Sequence, residues 1–351
     1  MSSYGEPNKA RIKAVLEHQM PDRVPNFEVL VDNPTVRHVL GYDVRGRHTL
    51  ANIEPADYVA FARAVGQDVI GMCFYDSPFR YRDEAGVERK LDFRIRSRED
   101  LDRVYATDLA HLEDDFALLD RYAEAIEGTD IGLFVLLGSW FTDAYDRVFG
   151  FDNFMWQVLD GRDLVEEVLT LHARYYAEMA ERLVQYPLTF LYVGDDLAYK
   201  KGTFIRPELM RALWVPRMQW VFQPALDKGI PILYHSDGNI EALIPDLLEM
   251  GINALNPIEP YGMDIEAIHR RYGKRLALVG NLDVGGALSR GTADEVRAEA
   301  RALIDAVGRE GDLVLASSHS ITENVIPENY LAMVETAQTY GVLNESTGLR
   351  R

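Results

Sequence analysis

Ile230-Pro231-Ile232-Leu233-Tyr234-His235-Ser236-Asp237-Gly238-Asn239 is the stretch that decides the fold. The apolar run 230–234 stops on His235. A second potential ligand follows at Asp237, Gly238 breaks the run, and an amphipathic stretch occupies 240–250. Physically this is a buried strand, a loop presenting two groups able to bind a metal or move a proton, and a returning helix. Parallel α/β barrels carry their chemistry at such strand ends.

The same unit repeats along the chain. Of the short apolar runs at 25–30, 68–75, 132–138, 190–193, 230–234, 254–257, 276–279 and 313–316, most are unbroken rather than alternating, as expected for parallel strands buried on both faces. Between them lie helical patterns. The longest, 162–185, repeats apolar residues at threes and fours through Leu164, Val165, Val168, Leu171 and Leu183. Others open at Pro207, run over 289–307 and run over 327–340. The expected fold is α/β: a distorted (β/α)8 TIM barrel, one domain over 1–351. An extra N-terminal helix is expected within 1–20, and 76–130 is long enough for an insertion over one mouth. No glycine-rich dinucleotide fingerprint follows any strand, which weighs against an open doubly wound sheet.

Composition narrows the partners. With 37 Lys+Arg against 56 Asp+Glu, the net charge of −19 argues against nucleic acid or an anionic membrane surface. The single cysteine, Cys73, rules out a disulfide framework and a cysteine-rich zinc site. No run approaches the ~20 apolar residues of a membrane span, and the first residues lack the pattern of a signal peptide. A cytoplasmic protein is expected.

Strand ends of a barrel converge on one cavity. Here they carry Glu28, Tyr75 with Asp76, Ser139 with Trp140, Asp195 with Asp196, His235 with Asp237, Asn256 with Glu259, Asn281 with Asp283, and His319. Each has a structural alternative. Asp237 would cap the following helix, unless Asn239 does so and frees it. Asp195 and Asp196 would pair with Lys200 and Lys201. His319 would be held by the hydroxyls around it. Taken together, His235, Asp237 and His319 form an imidazole–carboxylate set that binds zinc, iron or manganese with positions left open. The same three groups work without metal as acid, base and orienter. Asp76, Asp196 and His319 are the expected catalytic groups, and Glu28, Tyr75, Trp140, Asn256 and Asn281 the expected substrate contacts.

Glu17-His18-Gln19-Met20-Pro21-Asp22-Arg23-Val24-Pro25 resembles the N-terminal signature of the uroporphyrinogen decarboxylase superfamily. Gly194-Asp195-Asp196, His235 to Asn239 with Asn256-Pro257, Gly280-Asn281-Leu282-Asp283 and Pro327-Glu328-Asn329 resemble it in the same order. The resemblance implies a distorted (β/α)8 barrel and one of two chemistries. The decarboxylases need no metal and carry an Arg-Gln-Ala-Gly-Arg-Tyr motif after the first strand. This chain has Glu28-Val29-Leu30-Val31-Asp32-Asn33 there, and no arginine until Arg37. A polyanionic tetrapyrrole would meet no guanidinium clamp.

The second branch moves methyl groups between small molecules and a corrinoid, with zinc held by a His-x-Cys pair and a later cysteine. Here His235 matches the histidine, Asp237 stands at the first cysteine, and His319 or Ser320 is nearest the second. Replacing thiolates by such ligands leaves a metal more Lewis-acidic, suited to an oxygen leaving group; loss of the metal is the competing consequence. The resemblance thus implies a methyltransferase acting on a small methyl ether, with zinc. No Asp-x-His-x-x-Gly corrinoid fingerprint occurs, so the corrinoid would arrive on a separate protein. The alternative is a cofactor-free decarboxylase or lyase acting on a small carboxylic acid.

Overall fold

Every apolar run marked from residue 68 onward forms a strand in the computed structural model, which describes residues 5–50 and 53–343. In chain order these are β1 (Val69–Phe74), β2 (Gly132–Leu137), β3 (Leu188–Gly194), β4 (Ile232–His235), β5 (Ala254–Asn256), β6 (Ala277–Leu282) and β7 (Leu313–Ser317). They make one seven-stranded sheet whose spatial order is the chain order, and every pairing is parallel. Parallel neighbours need a crossover, and helices supply most of them.

Side chains alternate across this sheet with period two. Phe134, Phe190, Tyr192, Leu233, Ala254, Ala277, Val279, Val314 and Ala316 share one core, whereas Leu191, Val193, Ile232, Tyr234 and Leu278 pack in a second with the helices. Ile12, Val15 and Leu16 from the N-terminal helix Lys9–Leu16 join the first core. Phe27 joins it too, meeting Phe134 edge-on with ring centroids 5.0 Å apart.

The first expected strand is different. Residues 25–30 run beside β7 as isolated parallel bridges, Asn26 with Leu315 and, just beyond, Val31 with Ile321. Among the described residues no backbone hydrogen bond joins this segment to β1. It is bonded along one edge only, so the ladder that defines a strand does not develop.

The helices follow their apolar stripes. Arg162–Leu183 buries Val165, Val168, Leu169, Tyr176, Met179 and Leu183. Pro207–Leu213 and Pro327–Thr339 begin with proline in the first turn, and Ala293–Ala306 begins with a Thr292/Glu295 capping box. The stretch 240–250 opens as a 3-10 turn, Glu241–Leu243, and continues as Ile244–Glu249. The expected insertion after β1 holds a small antiparallel sheet of Phe79–Arg82, Glu88–Lys90 and Val104–Ala106. No helix among the described residues is long and apolar enough to cross a membrane.

Candidate active site

Register brings the site together. Gly194 at the end of β3 pairs with His235, and His235 pairs with Asn256 at the end of β5. The residues leaving these strands therefore emerge side by side. One ligand atom each from Asp196, His235 and Asp237 lies within 4.8 Å of the others. His235 Nε2 is 3.8 Å from Asp196 Oδ1 and 3.7 Å from Asp237 Oδ1.

The orientation of His235 is set from below. Asn256 Nδ2 donates to the Val279 carbonyl at 2.9 Å, which turns Asn256 Oδ1 toward His235 Nδ1 at 2.7 Å. Tyr192 donates to the same Oδ1 at 2.6 Å. An accepting oxygen at Nδ1 keeps the ring proton there and leaves the Nε2 lone pair facing the two carboxylates.

Asp237 is freed for ligation as its neighbours allow. Asn239 Oδ1 accepts from the Glu241 amide at 3.1 Å, so the helix start does not use Asp237. Asp237 N donates to Asp196 Oδ1 at 2.9 Å, while Asp237 Oδ1 is buried with no hydrogen-bond partner. Burial raises the Asp237 pKa; the nearby His235 and His319 act in the opposite direction. Gly238 has φ 79°, and a Cβ there would meet the Ala198 carbonyl carbon at 2.6 Å. The loop after β4 can lie this close to the turn after β3 only with glycine at that position.

The neighbouring acids Asp195 and Asp196 have separate tasks. Asp195 is buried and accepts from the amides of Phe141 and Thr142, the Thr142 hydroxyl and Trp214 Nε1. Burial still pushes its pKa up to about 7 against those donors. Among the described residues neither Lys200 nor Lys201 forms an ion pair with this dipeptide; Lys200 instead lies over the Tyr261 ring at 4.9 Å.

His319 reaches the cluster at its edge, with Nε2 3.5 Å from Asp237 Oδ2 and its ring 6.0 Å from that of His235. Asp196, expected as a catalytic acid, thus joins His235 and Asp237 in a group able to hold a metal ion, and His319, expected in that set, stands beside it. Asn281 donates to the Ile258 carbonyl at 2.8 Å. Trp140 is buried against Phe141, with its indole N–H unpartnered. Tyr75 is partly exposed under the Arg147 guanidinium, 4.8 Å from its ring centre.

Two expected residues have other surroundings. Asp76 pairs with Arg80 Nη2 at 2.6 Å, Lys90 Nζ at 2.8 Å and His111 Nε2 at 2.7 Å, tying the insertion to the end of β1. Burial alone would raise its pKa, but Lys90 and Arg80 outweigh it and hold the carboxyl below the ordinary value. Glu28 is buried and bonded to Ser317, accepting from its amide at 2.7 Å and lying 2.7 Å from its hydroxyl. Among the described residues it has no ion-pair partner, and burial pushes its pKa up to about 8.

The sequence reading did not single out Tyr192 and Thr142. Tyr192 looked like one apolar residue of a strand, though its period-two position points it inward. Thr142 Oγ1 accepts from the Asp196 amide at 3.1 Å, a contact across 54 residues without a local sequence signal.

The fold and cluster define a parallel α/β protein with a histidine–carboxylate centre at its strand ends. The family model described as Uroporphyrinogen decarboxylase (URO-D) matches residues 79–340, and the chain belongs to that family. A curated relative, the Methylcobamide:CoM methyltransferase MtaA of Methanosarcina barkeri, is 26% identical over 189 residues, 54% of this chain and 52% of that protein. The match spans about half the length of that relative. A solved structure titled methyltransferase from Methanosarcina mazei shares the fold, with a TM-score of 0.70 at 19% identity over 96% of this chain and 99% of that one.

Proposed function

We propose that the chain is a methyltransferase of the uroporphyrinogen decarboxylase family, folded as one distorted (β/α)8 barrel in which residues 25–30 serve as the remaining stave. It would take a methyl group from a small methyl ether and deliver it to a corrinoid carried on a separate protein. The observation that carries this reading is the Asp196–His235–Asp237 group, its imidazole held by Asn256 with Nε2 toward the acids.

The donor set fits a divalent ion of the zinc class. It offers one imidazole nitrogen and two carboxylates, and Asp237 Oδ1 is a buried acceptor without a partner. A divalent ion held there would supply Lewis acidity toward the ether oxygen. The protein's own groups do the rest. Asn256 and Tyr192 fix His235, and Asp195 with Thr142 fixes Asp196. His319 Nε2, on the solvent side, would give a proton to the oxygen as the methyl leaves. The step would balance: the carbon–oxygen bond would break with its electron pair staying on the oxygen, which gains one proton, and the separate corrinoid in its cob(I) state would supply the pair that accepts the methyl. Tyr75, Trp140 and Phe141 would supply the apolar wall for the substrate.

The test is metal content together with methyl transfer from a panel of methyl ethers to free cob(I)alamin. One divalent ion lost in His235→Ala, along with transfer, is the expected result. Transfer unaffected by that substitution would overturn the reading. Metal-independent release of carbon dioxide from a small acid would favour a carboxy-lyase instead.

A further inference from the structure

The signature segment around His18 has no part in that site. It lies at the opposite end of the sheet, beneath the start of β7. There His269 at the end of helix Ile265–Tyr272, Glu310 at the end of the 3-10 turn Gly308–Glu310, and Asp312 just before β7 each offer one ligand atom within 4.8 Å of the others. We propose that His269, Glu310 and Asp312 form a second divalent-cation site of the zinc class, a structural clamp on the floor of the sheet, with His18 steadying Asp312.

The geometry is that of a ligand set with an outer partner. His269 Nε2 lies 3.2 Å from Asp312 Oδ2, and both residues are more than nine-tenths buried. His18 Nδ1 lies 3.6 Å from the other oxygen, Asp312 Oδ1. His18 reaches it from a backbone φ of 55°, uncommon for a residue with a side chain. Two carboxylates this close repel unless a proton or cation stands between them. Among the described residues no lysine or arginine forms an ion pair with Glu310 or Asp312. Arg270 and Arg271 turn instead to Glu266 and Glu241.

Access is open. His269 and Glu310 line a surface depression of about 490 Å³, which gives an ion a way in. Lys274 and Arg275 stand on its rim with Arg270 and Arg271. Those charges stand too close to be fully screened, so they lower the site's affinity for a cation, and added salt should relieve part of that cost. An imidazole and two carboxylates would give zinc three protein ligands, with water in the fourth position. Bound there, the ion would fasten the helix before β6 to the lead into β7, segments otherwise separated by some forty residues of chain.

The test needs zinc alone and the full-length chain. Metal-stripped protein is titrated with zinc against a chromophoric indicator, in wild type, His235→Ala, His269→Gln and Glu310→Gln. Glu310 is exposed, so its substitution leaves folding intact, checked by circular dichroism. Expected is one equivalent retained in His235→Ala and one lost in both His269→Gln and Glu310→Gln. No zinc bound by His235→Ala, or stoichiometry unchanged in Glu310→Gln and His269→Gln, overturns the proposal. The two sites are read separately. One equivalent in wild type that survives His235→Ala but not His269→Gln would sink the active-site metal and leave the floor site standing.

Discussion

At the scale of single residues, the site depends on atoms that never face the mouth. Asn256 is buried, yet its amide decides which nitrogen of His235 is free. Outer partners of this kind are worth about 10- to 100-fold in metal affinity. Asn256→Leu, close in volume and without an acceptor, should lower zinc affinity at the active site by about that factor while circular dichroism stays unchanged. Glu28 gives a pH prediction. Its folded pKa of about 8 stands above the ordinary 4.5, so the folded state keeps a proton that the unfolded chain releases. Its contribution is complete below the ordinary value and is lost as pH rises through the folded one. Thermal stability should therefore fall between about pH 5 and 8, and Glu28→Gln, which keeps the Ser317 bonds, should flatten that slope in melting curves.

Among elements, the insertion after β1 is fastened through Asp76, whose three partners come from Arg80, Lys90 and His111. Asp76→Asn should loosen the Phe79–Arg82, Glu88–Lys90 and Val104–Ala106 sheet by on the order of 1–3 kcal/mol, seen as faster proteolysis within it and little change in far-UV ellipticity. Its folded pKa is depressed, so this stabilisation is complete above the ordinary 3.8 and disappears as pH falls through the lower folded value. Acid should mimic the substitution. The elements also show what sequence could reveal. Strands buried on both faces announce themselves as apolar runs, and seven of them were legible. Residues 25–30, with Asn26 and Glu28 among the apolar ones, hydrogen-bond to one neighbour only, and composition does not carry pairing. His235 and Asp237 were legible because one strand end carries both. The place of Asp196 beside them depends on the Gly194–His235 register, and the hold of His111 on Asp76 on a contact across 35 residues. Neither leaves a local pattern.

The whole molecule carries a net charge of −19. Like charges at that density oppose the compact state, and added salt screens them. Melting temperature should rise by about a few degrees between 10 mM and 150 mM sodium chloride, measured in a buffer that binds no metal. A flat or falling response would show that specific ion pairs, such as Arg182 with Glu113, outweigh the general repulsion.

One detail of the loop after β3 reaches further than its size. Asp195 is built into the wall, its carboxylate spent on the Phe141, Thr142 and Trp214 donors, while Asp196 faces outward to His235. Within a dipeptide, one acid is bound into the wall and the next is left facing the cluster. For a protein engineer the second position is the adjustable one: exchanging Asp196 would alter the group facing His235, with the loss of the Asp237 amide's acceptor as the structural cost. The first is a keystone, since a change there would strand four donors at once.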